Sequence, residues 1–215
     1  MIQVRNLYYR YEREGGGILN GISLDIPTGS HVAIIGANGS GKTTLIRHFN
    51  GLLTPTQGEV WIEGMSTKNT KMLQNIRQVV GMVFQNPDTQ IVGMSVEEDV
   101  GFGPGNLGLP TEQIRERVRS SLAMVGMERE AQSPPHALSS GEKQLVAIAG
   151  VLAMKPRHLI VDEPTAYLDP SGRNRVLRAL WDLKARGMTI IHVTHHMDEV
   201  VDADEILVLN DGKIV

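Results

Sequence analysis

The first third of the chain alternates apolar and polar residues in the way that is typical of β-strands. Residues 22–26 are Ile-Ser-Leu-Asp-Ile, and this period of two is expected of a strand with one buried face. Residues 32–35, Val-Ala-Ile-Ile, are apolar throughout, as in a strand that is buried on both faces. Further segments predict strands at residues 2–8, 60–62 and 79–84, a helix at 43–53, and a turn at the glycine run 15–17.

The middle of the chain, residues 88–154, has little strand signal and a clear helical one. Four apolar residues lie on one face of a predicted helix, with Glu and Arg on the opposite face: Ile114, Val118, Leu122 and Val125. Thr111 is expected to cap the N-terminus of this helix, and Ser139 or Ser140 to start another that ends near residue 155. We therefore predict a helical insertion into a strand-rich domain.

The last third alternates between strands and helices. The pattern predicts strands at residues 159–161, 189–193, 205–209 and 213–215, a helix at 171–185, and a short helix from residue 197. An Asn-Asp-Gly sequence at 210–212 separates the last two strands and is typical of a hairpin turn. Strands that alternate with helices predict an α/β fold with a mostly parallel sheet covered on both faces.

Composition narrows the classes of protein. Of the 215 residues, 41% are hydrophobic and 21% are charged, which argues against a disordered or fibrous chain. The net charge of −3 argues against a strongly basic surface, so we expect no nucleic-acid partner. The chain has no cysteine, which excludes disulfides and thiolate metal sites. Its longest apolar run, residues 145–154, is about half as long as a bilayer crossing requires.

A glycine-rich motif follows the apolar strand at 32–35. Residues 36–43, Gly-Ala-Asn-Gly-Ser-Gly-Lys-Thr, match the phosphate-loop pattern G-x-x-x-x-G-K-[ST] and open a predicted helix, which disfavours a purely structural turn. Glycines let successive N–H groups point inward, and the helix N-terminus adds partial positive charge. Lys42 can reach the β- and γ-phosphates of a nucleotide, and the Thr43 hydroxyl can bind Mg²⁺. The predicted nucleotide contacts are Asn38, Gly39, Ser40, Gly41, Lys42, Thr43 and Thr44.

Two neighbouring carboxylates, Asp162 and Glu163, follow the predicted strand at 159–161. In open α/β sheets, ligands bind beyond the carboxyl ends of the strands. Asp162 is placed to hold Mg²⁺ through water, as this position does in phosphate-loop NTPases. Glu163 is placed to polarise an attacking water molecule as general base. The alternative is an acidic pair that caps a helix, which the phosphate loop upstream disfavours.

Further motifs follow in order along nearly the whole chain. Leu-Ser-Ser-Gly-Glu-Lys-Gln at residues 138–144 resembles the L-S-G-G-Q signature of ATP-binding cassette (ABC) ATPases. Gln85 resembles the Q-loop glutamine of that family, and His195 resembles its switch histidine. Ala-Tyr-Leu-Asp at residues 166–169 resembles its D-loop. The signature departs from the family pattern in carrying Ser140 in place of Gly and Glu in place of the final Gln.

The resemblance implies a fold: a phosphate-loop NTPase of the ABC cassette type, with a RecA-like core, an antiparallel β subdomain and a helical subdomain. It implies one domain over residues 1–215, with the core and β subdomain in 1–87 and 156–215 and the helical subdomain, with its signature, in 88–155. Tyr11 lies where the family stacks an aromatic ring on adenine, and Tyr9 is the alternative.

The resemblance also implies a mechanism in which two cassettes enclose two ATP molecules head to tail. The signature residues of one chain would contact the ATP held by the other: Ser139, Ser140, Gly141 and Glu142. Asp169 would couple the two sites and His195 would bridge the γ-phosphate and the opposite subunit. The implied catalytic residues are Glu163, His195 and Gln85, and the implied Mg²⁺ ligands are Thr43, Gln85 and Asp162.

Residues 85–92 and 96–104 indicate a subfamily. Their sequences, Gln-Asn-Pro-Asp-Thr-Gln-Ile-Val and Val-Glu-Glu-Asp-Val-Gly-Phe-Gly-Pro, resemble the ATPases of energy-coupling factor (ECF) transporters, which import vitamins and cobalt or nickel. That resemblance implies three partners: a second ABC ATPase subunit, identical or paralogous, a transmembrane coupling subunit, and a separate membrane substrate-binding subunit. It implies a peripheral location on the cytoplasmic face of the membrane. Such cassettes usually continue past the hairpin at 205–215, so we expect either a missing C-terminal extension or a naturally short form.

Two alternatives stay open. A non-transport ABC ATPase, acting in DNA repair or translation, would carry the same motifs but usually adds a coiled-coil insertion or a second cassette. About fifty residues separate Gln85 from Leu138, which is room only for a compact helical subdomain. A small-molecule kinase with a phosphate loop would need neither the signature nor the switch histidine.

Overall fold

Two β-sheets and the helices packed on them make up the protein in a computed structural model, which describes residues 1–11 and 17–215. The glycine turn predicted at residues 15–17 lies mostly outside the described residues. In chain order the strands are β1 (Ile2–Tyr9), β2 (Leu19–Ile26), β3 (His31–Ile35), β4 (Gln57–Ile62), β5 (Met65–Ser66), β6 (Val80–Val83), β7 (His158–Asp162), β8 (Thr189–Val193), β9 (Glu205–Asn210) and β10 (Lys213–Ile214). The helices are α1 (Lys42–Phe49), α2 (Leu73–Val79), α3 (Val96–Asn106), α4 (Thr111–Val125), α5 (Ser140–Leu152) and α6 (Pro170–Ala185).

The larger sheet has six strands in the order β10-β9-β3-β8-β7-β6. Strands β9, β3, β8, β7 and β6 are parallel, and β10 pairs with β9 in the antiparallel sense. Every residue of β3, β7 and β8 is buried, which explains why these segments are so apolar. Because the strands are parallel, their carboxyl ends share one edge, and that edge leads into the phosphate loop, the acidic pair and His195.

The smaller sheet has four strands in the order β2-β1-β4-β5, all antiparallel. Its inward side chains, such as Ile2, Val4 and Val60, are fully buried and share one hydrophobic core with α1. Phe49 at the end of α1 is the largest side chain in that core. The antiparallel sheet is therefore packed against the helix that carries the phosphate loop.

Helices α3, α4 and α5 pack on one another, and α5 also packs on α6. Their core is separate from the first and contains Val118, Leu145, Ile148 and Leu159. No helix among residues 1–11 and 17–215 combines the length and the apolar composition that crossing a bilayer requires.

The fold confirms the predicted α/β architecture, the parallel sheet and the helical middle section, with element boundaries that differ by a few residues. One prediction is wrong: Thr111 is the first residue of α4, and Pro110 is its N-cap. Pro110 is extended (φ −59°, ψ 145°), so the backbone is already helical at Thr111, whose side chain makes no capping bond. Helix α1 ends at Phe49 instead of residue 53, because Gly51 turns the chain with φ of 67°.

Candidate active site

The phosphate loop connects β3 to α1. Gly36, Gly39 and Gly41 have φ of 153°, 81° and 104°, a region that favours glycine. A Cβ on Gly36 would lie 2.1 Å from the carbonyl oxygen of Leu209, so no side chain fits there. Ser40 is buried within the loop. These glycines allow the compact turn that brings backbone N–H groups toward a bound anion.

Lys42, the first residue of α1, extends back across this loop. Its Nζ donates hydrogen bonds to the carbonyl oxygens of Gly36 at 2.8 Å and Ala37 at 3.1 Å. The residue is only 6% exposed, so little water screens its charge. Asn38 and Gly39 are exposed at the tip of the loop. A buried cation at a helix N-terminus forms a strongly anion-attracting site.

Thr43 links the phosphate loop to the acidic pair. Its Oγ1 donates a hydrogen bond to Asp162 Oδ2 at 2.9 Å. Burial raises the pKa of Asp162, the charge of Glu163 adds to this rise, and the Thr43 hydrogen bond opposes it. Among the residues the structure describes, no group of three or more His, Cys, Asp or Glu could hold a metal by itself. A hydroxyl and one carboxylate beside a phosphate site suit Mg²⁺, which is usually bound together with substrate phosphates.

Glu163 contacts both of the other predicted catalytic residues. Gln85 Nε2 donates to Glu163 Oε2 at 3.0 Å, and His195 Nδ1 lies 3.4 Å from Glu163 Oε1. The backbone of Glu163 has φ of 47°, which is uncommon for a residue with a side chain. Its N–H donates to the carbonyl oxygen of Val193 at 2.8 Å, which holds this turn against strand β8. The carboxylate of Glu163 is thus held between the ends of three strands.

The two candidate adenine-stacking tyrosines differ in their surroundings. Tyr11 OH lies 3.3 Å from Thr44 Oγ1 on helix α1, which places its ring beside the phosphate loop. Tyr9 packs edge-on against Tyr11, with ring centroids 5.0 Å apart, and against His48 at 4.8 Å. Tyr9 is therefore packed between His48 and the Tyr11 ring. Because Tyr11 is the ring beside the phosphate loop, this arrangement favours Tyr11 for stacking on adenine.

The signature segment forms the N-terminus of α5. Ser139 is the N-cap, and its Oγ accepts a hydrogen bond from Glu142 N while Glu142 Oε2 accepts from Ser139 N at 3.0 Å. Arg175 Nη1 also donates to Glu142, at 3.3 Å. The hydrogen bond from the Ser139 backbone, with those from its hydroxyl and from Arg175, lowers the pKa of Glu142. Glu142 therefore completes a capping box, and the neighbouring Ser140 is exposed.

Gly141 and Asp169 bring the starts of α5 and α6 into contact. A Cβ on Gly141 would lie 2.8 Å from Gly172 Cα, so the two helices approach as closely as glycine allows. Asp169 caps α6 by accepting hydrogen bonds from Ser171 N at 3.3 Å and Gly172 N at 3.2 Å. The signature and the D-loop-like segment form one continuous surface.

The predicted site residues thus fall into two sets. The first surrounds the phosphate loop: Gln85, Asp162, Glu163, His195, Tyr11 and residues 38–44. The second lies at the starts of α5 and α6: Ser139, Ser140, Gly141, Glu142 and Asp169. Within residues 1–11 and 17–215, no hydrogen bond or ion pair joins residues 139–142 to residues 36–43. The roles of these residues in catalysis stay predictions.

Sequence reasoning missed one buried group beside the first set. Glu199 lies in a short 3₁₀ helix, Met197–Glu199, just after His195 and is 1% exposed. It accepts hydrogen bonds from Thr165 and Thr194, on either side of the site. No local pattern marks it, because two of its partners, Thr165 and Arg173, are distant in sequence.

Comparison with protein families gives one extensive match. Residues 19–166 match the family described as ABC transporter. The cobalt import ATP-binding protein CbiO of Syntrophus aciditrophicus is 54% identical over all of this chain and 77% of its own length. The energy-coupling factor transporter ATP-binding protein EcfA1 of Caldanaerobacter subterraneus is 52% identical over all of this chain and 79% of its own length.

Solved structures give the same result for the fold. CbiO1 of Clostridium perfringens, described as part of the ABC transporter complex CbiONQ, aligns with a TM-score of 0.92 at 40% identity, over all of this chain and 86% of that one. A dimeric ATP-binding cassette in a post-hydrolysis state, bound to ADP and Pi, aligns with a TM-score of 0.87 at 31% identity, over all of this chain and 96% of that one. The ABC cassette fold predicted from the motifs is therefore confirmed.

Proposed function

Because this chain belongs to the ABC transporter family, we propose that it is the ATP-binding and ATP-hydrolysing subunit of an importer of the energy-coupling factor type. The observation that carries the proposal is the first set of residues around the phosphate loop. There Lys42, Thr43 and Asp162 lie beside a carboxylate, Glu163, that two further polar side chains hold in place.

ATP binding uses the phosphate loop and its lysine. The β- and γ-phosphates would lie over the N-terminus of α1, where the ammonium of Lys42 meets their charge. Tyr11 would stack on the adenine. Thr43, Asp162 and Gln85 would hold Mg²⁺, which neutralises phosphate charge when it is bound with the nucleotide.

Hydrolysis requires a base beside the γ-phosphate, and Glu163 is that base. Its carboxylate would accept a proton from water as the water oxygen bonds to the γ-phosphorus and the bond to ADP breaks. Gln85 and His195 contact different oxygens of the carboxylate, at 3.0 and 3.4 Å, which limits the orientations it can take. A base held in this way loses less entropy on reaching the reactive geometry.

The second set of residues would act on the ATP of another subunit. The N-terminus of α5 is exposed at Ser139 and Ser140, and a helix N-terminus attracts anions. In a head-to-tail pair, this end would face the γ-phosphate held by the partner, with Asp169 beside it to couple the two sites. The dimeric, ADP-bound cassette with which this chain aligns supports such a pair. The second subunit would be an identical or a paralogous cassette.

A groove beside Gln85 is suited to a membrane partner. Its cavity of about 340 Å³ is lined by residues that include Leu52, Phe84, Val92 and Phe102. Val92 and Phe102 are 64% and 57% exposed, so apolar surface is available to an amphipathic helix. We assign this groove to cytoplasmic helices of a transmembrane coupling subunit, with a separate membrane substrate-binding subunit selecting a vitamin or metal ion.

The decisive experiment is the Glu163→Gln variant. Gln keeps the shape but cannot take the proton, so we expect hydrolysis to fall by at least about 100-fold while ATP binding survives and ATP-bound dimers accumulate in size-exclusion chromatography. Glu116→Gln, an exposed position on α4, is the matched control and should behave as wild type. Wild-type turnover in Glu163→Gln would refute the assignment of the base.

The membrane role is tested separately by purifying the chain from its native membranes. Recovery with a multi-span subunit and a second membrane protein would support the transport function. Recovery instead with ribosomes or DNA, in a salt-sensitive manner, would favour a non-transport ABC ATPase.

A further inference from the structure

Glu199 is a buried carboxylate that the proposed mechanism does not use. It is 1% exposed, yet it contacts four polar side chains on three segments of the chain: Thr165, Arg173, His192 and Thr194. Burying a charge without partners is strongly unfavourable, so such a group persists only where its partners compensate the lost hydration. Burial alone would raise the pKa of Glu199, but the hydrogen bonds from Thr165 and Thr194 and the nearby His192 ring lower it to about 2.

One oxygen of Glu199 holds the turn that carries His195. Thr194 Oγ1 donates to Glu199 Oε2 at 2.9 Å, and the same Thr194 oxygen accepts from His196 N at 3.0 Å. Glu199 N also donates to the carbonyl oxygen of His196, at 3.2 Å. The Glu199 carboxylate thus reaches the backbone beside His195 through the Thr194 hydroxyl, and the Glu199 N–H adds a second link to the same turn.

The other oxygen holds the segment that follows Glu163. Thr165 Oγ1 donates to Glu199 Oε1 at 2.5 Å, and Thr165 is only two residues beyond Glu163. Arg173 Nε lies 2.8 Å from the same oxygen. Arg173 belongs to the first turns of α6, the helix that Asp169 caps. One carboxylate thus joins the base, the switch-like histidine and the start of α6.

We propose that Glu199 is a positioning residue for ATP hydrolysis, which fixes the turn of His195 relative to Glu163 and to the start of α6. The inference rests on the proposed roles of Glu163 and His195. Glu199 touches no reacting atom in this mechanism. It acts through Thr194 and Thr165, and its negative charge is matched by Arg173.

The test is Glu199→Gln in the full chain, with ATPase kinetics, ATP binding and the thermal unfolding midpoint measured together. Gln cannot accept all of these donors, so we expect kcat to fall about tenfold, as for supporting partners in other sites, with the KM for ATP within about twofold. Asp198→Asn is the control: Asp198 pairs with Arg173 at 2.5 Å but on the exposed surface, and we expect nearly wild-type kcat.

A second measurement separates positioning from general stability. In a His195→Ala background, Glu199→Gln should reduce kcat little further, because the group it positions is gone. An equal reduction in both backgrounds, or wild-type kcat in Glu199→Gln, would overturn the inference. If Glu199→Gln does not fold, Thr194→Val tests the same inference. It removes the hydroxyl that joins Glu199 to the backbone N–H of His196, next to His195, and should therefore lower kcat. No hydrolysis by the wild-type chain would instead refute the proposed function itself.

Discussion

The two ends of the candidate site differ in how they use their polar groups. Around the phosphate loop, Lys42 and Thr43 donate hydrogen bonds within the protein that contacts with a nucleotide and its metal would replace. Glu163 lies between two side chains that restrain its carboxylate. At the signature end, Ser139 and Glu142 satisfy each other in a capping box. One end is arranged to receive a ligand, and the other is arranged to keep a helix N-terminus rigid.

This difference fits the proposal that each chain supplies half of each ATP site. In the proposed mechanism, the end that binds ATP first supplies the charge and the base, and these are Lys42 and Glu163. The signature end would meet the partner's ATP only when the dimer closes. It needs a preformed surface, because ordering a loop during closure would cost affinity. In the proposed pair the signature end is such a preformed surface, so its substitutions should change stability as well as hydrolysis.

The largest effect is expected at the phosphate loop, for Lys42→Ala. Removing a buried cation that pairs with phosphate typically costs roughly 2–5 kcal/mol, so ATP affinity should fall at least tens-fold and hydrolysis with it. Isothermal titration with ATP measures this, and Lys71→Ala, an exposed lysine, is the control. Unchanged affinity for ATP in Lys42→Ala would contradict the view that the phosphate-loop end receives the ligand.

The two ends should also respond differently to acid. Burial lowers the pKa of His48 to about 4, against a bond to the Thr44 carbonyl oxygen that opposes it. In the unfolded chain the His48 imidazole is protonated near pH 6.5, whereas in the folded protein it stays neutral until about pH 4. The folded state therefore loses roughly 3 kcal/mol of its stability as the pH falls from 7 to 4. His48→Gln should remove that part of the pH dependence.

Glu142 provides the contrast for this pH measurement. Its pKa is lowered in the fold, so its contribution is complete above the ordinary glutamate pKa and is lost only as the pH falls below it. Denaturant unfolding of wild type, His48→Gln and Glu142→Gln at several pH values compares the two ends. A wild-type pH dependence above pH 5 in His48→Gln would contradict this account.

A pair of glycine substitutions tests the packing at the signature end. Gly141→Ala would place a Cβ 2.8 Å from the Gly172 backbone, which must move, so we expect a loss of about 1–3 kcal/mol and slower hydrolysis. Gly105→Ala, in helix α3, meets nothing within 4 Å and should stabilise the protein by up to about 1 kcal/mol. We expect the unfolding midpoint to fall in Gly141→Ala and to rise in Gly105→Ala relative to wild type. Shifts in the same direction would contradict this prediction.

The smallest effect is expected for Ser139→Ala, which breaks the capping box. Loss of an N-cap side chain costs about 1 kcal/mol, so the unfolding midpoint should fall modestly. Ser140→Ala, on an exposed side chain, should leave the midpoint nearly unchanged. Hydrolysis in Ser139→Ala that falls far more than stability would mean that this hydroxyl also serves the nucleotide.

The sequence predicts those parts of the protein whose pattern is local. Strand β8 is predicted at its observed bounds, and the phosphate loop is recognisable because its glycines and lysine are consecutive. The acidic pair comes directly after the apolar residues 159–161 of β7, which places it at the carboxyl end of that strand. Local patterns determine these features because the physical requirement extends over a few neighbouring residues.

The missed features depend on contacts between distant segments. Helix α2 is short and has one fully buried residue, Ile76, so it has almost no apolar periodicity to detect. The role of Glu142 depends partly on Arg175 of another helix, and Glu199 depends on Thr165 and Arg173. Networks of this kind become visible only when the fold has brought their members together.

The left-handed backbone at Glu163 has a consequence for how this protein would evolve under selection for heat resistance. A residue with a side chain in that conformation typically costs about 1–3 kcal/mol, which Gly would recover in part and Asn to a smaller degree. A screen that rewards thermostability alone should therefore enrich Gly or Asn at position 163. The variants that survive heating best would be those that had lost Glu163, the proposed base for hydrolysis.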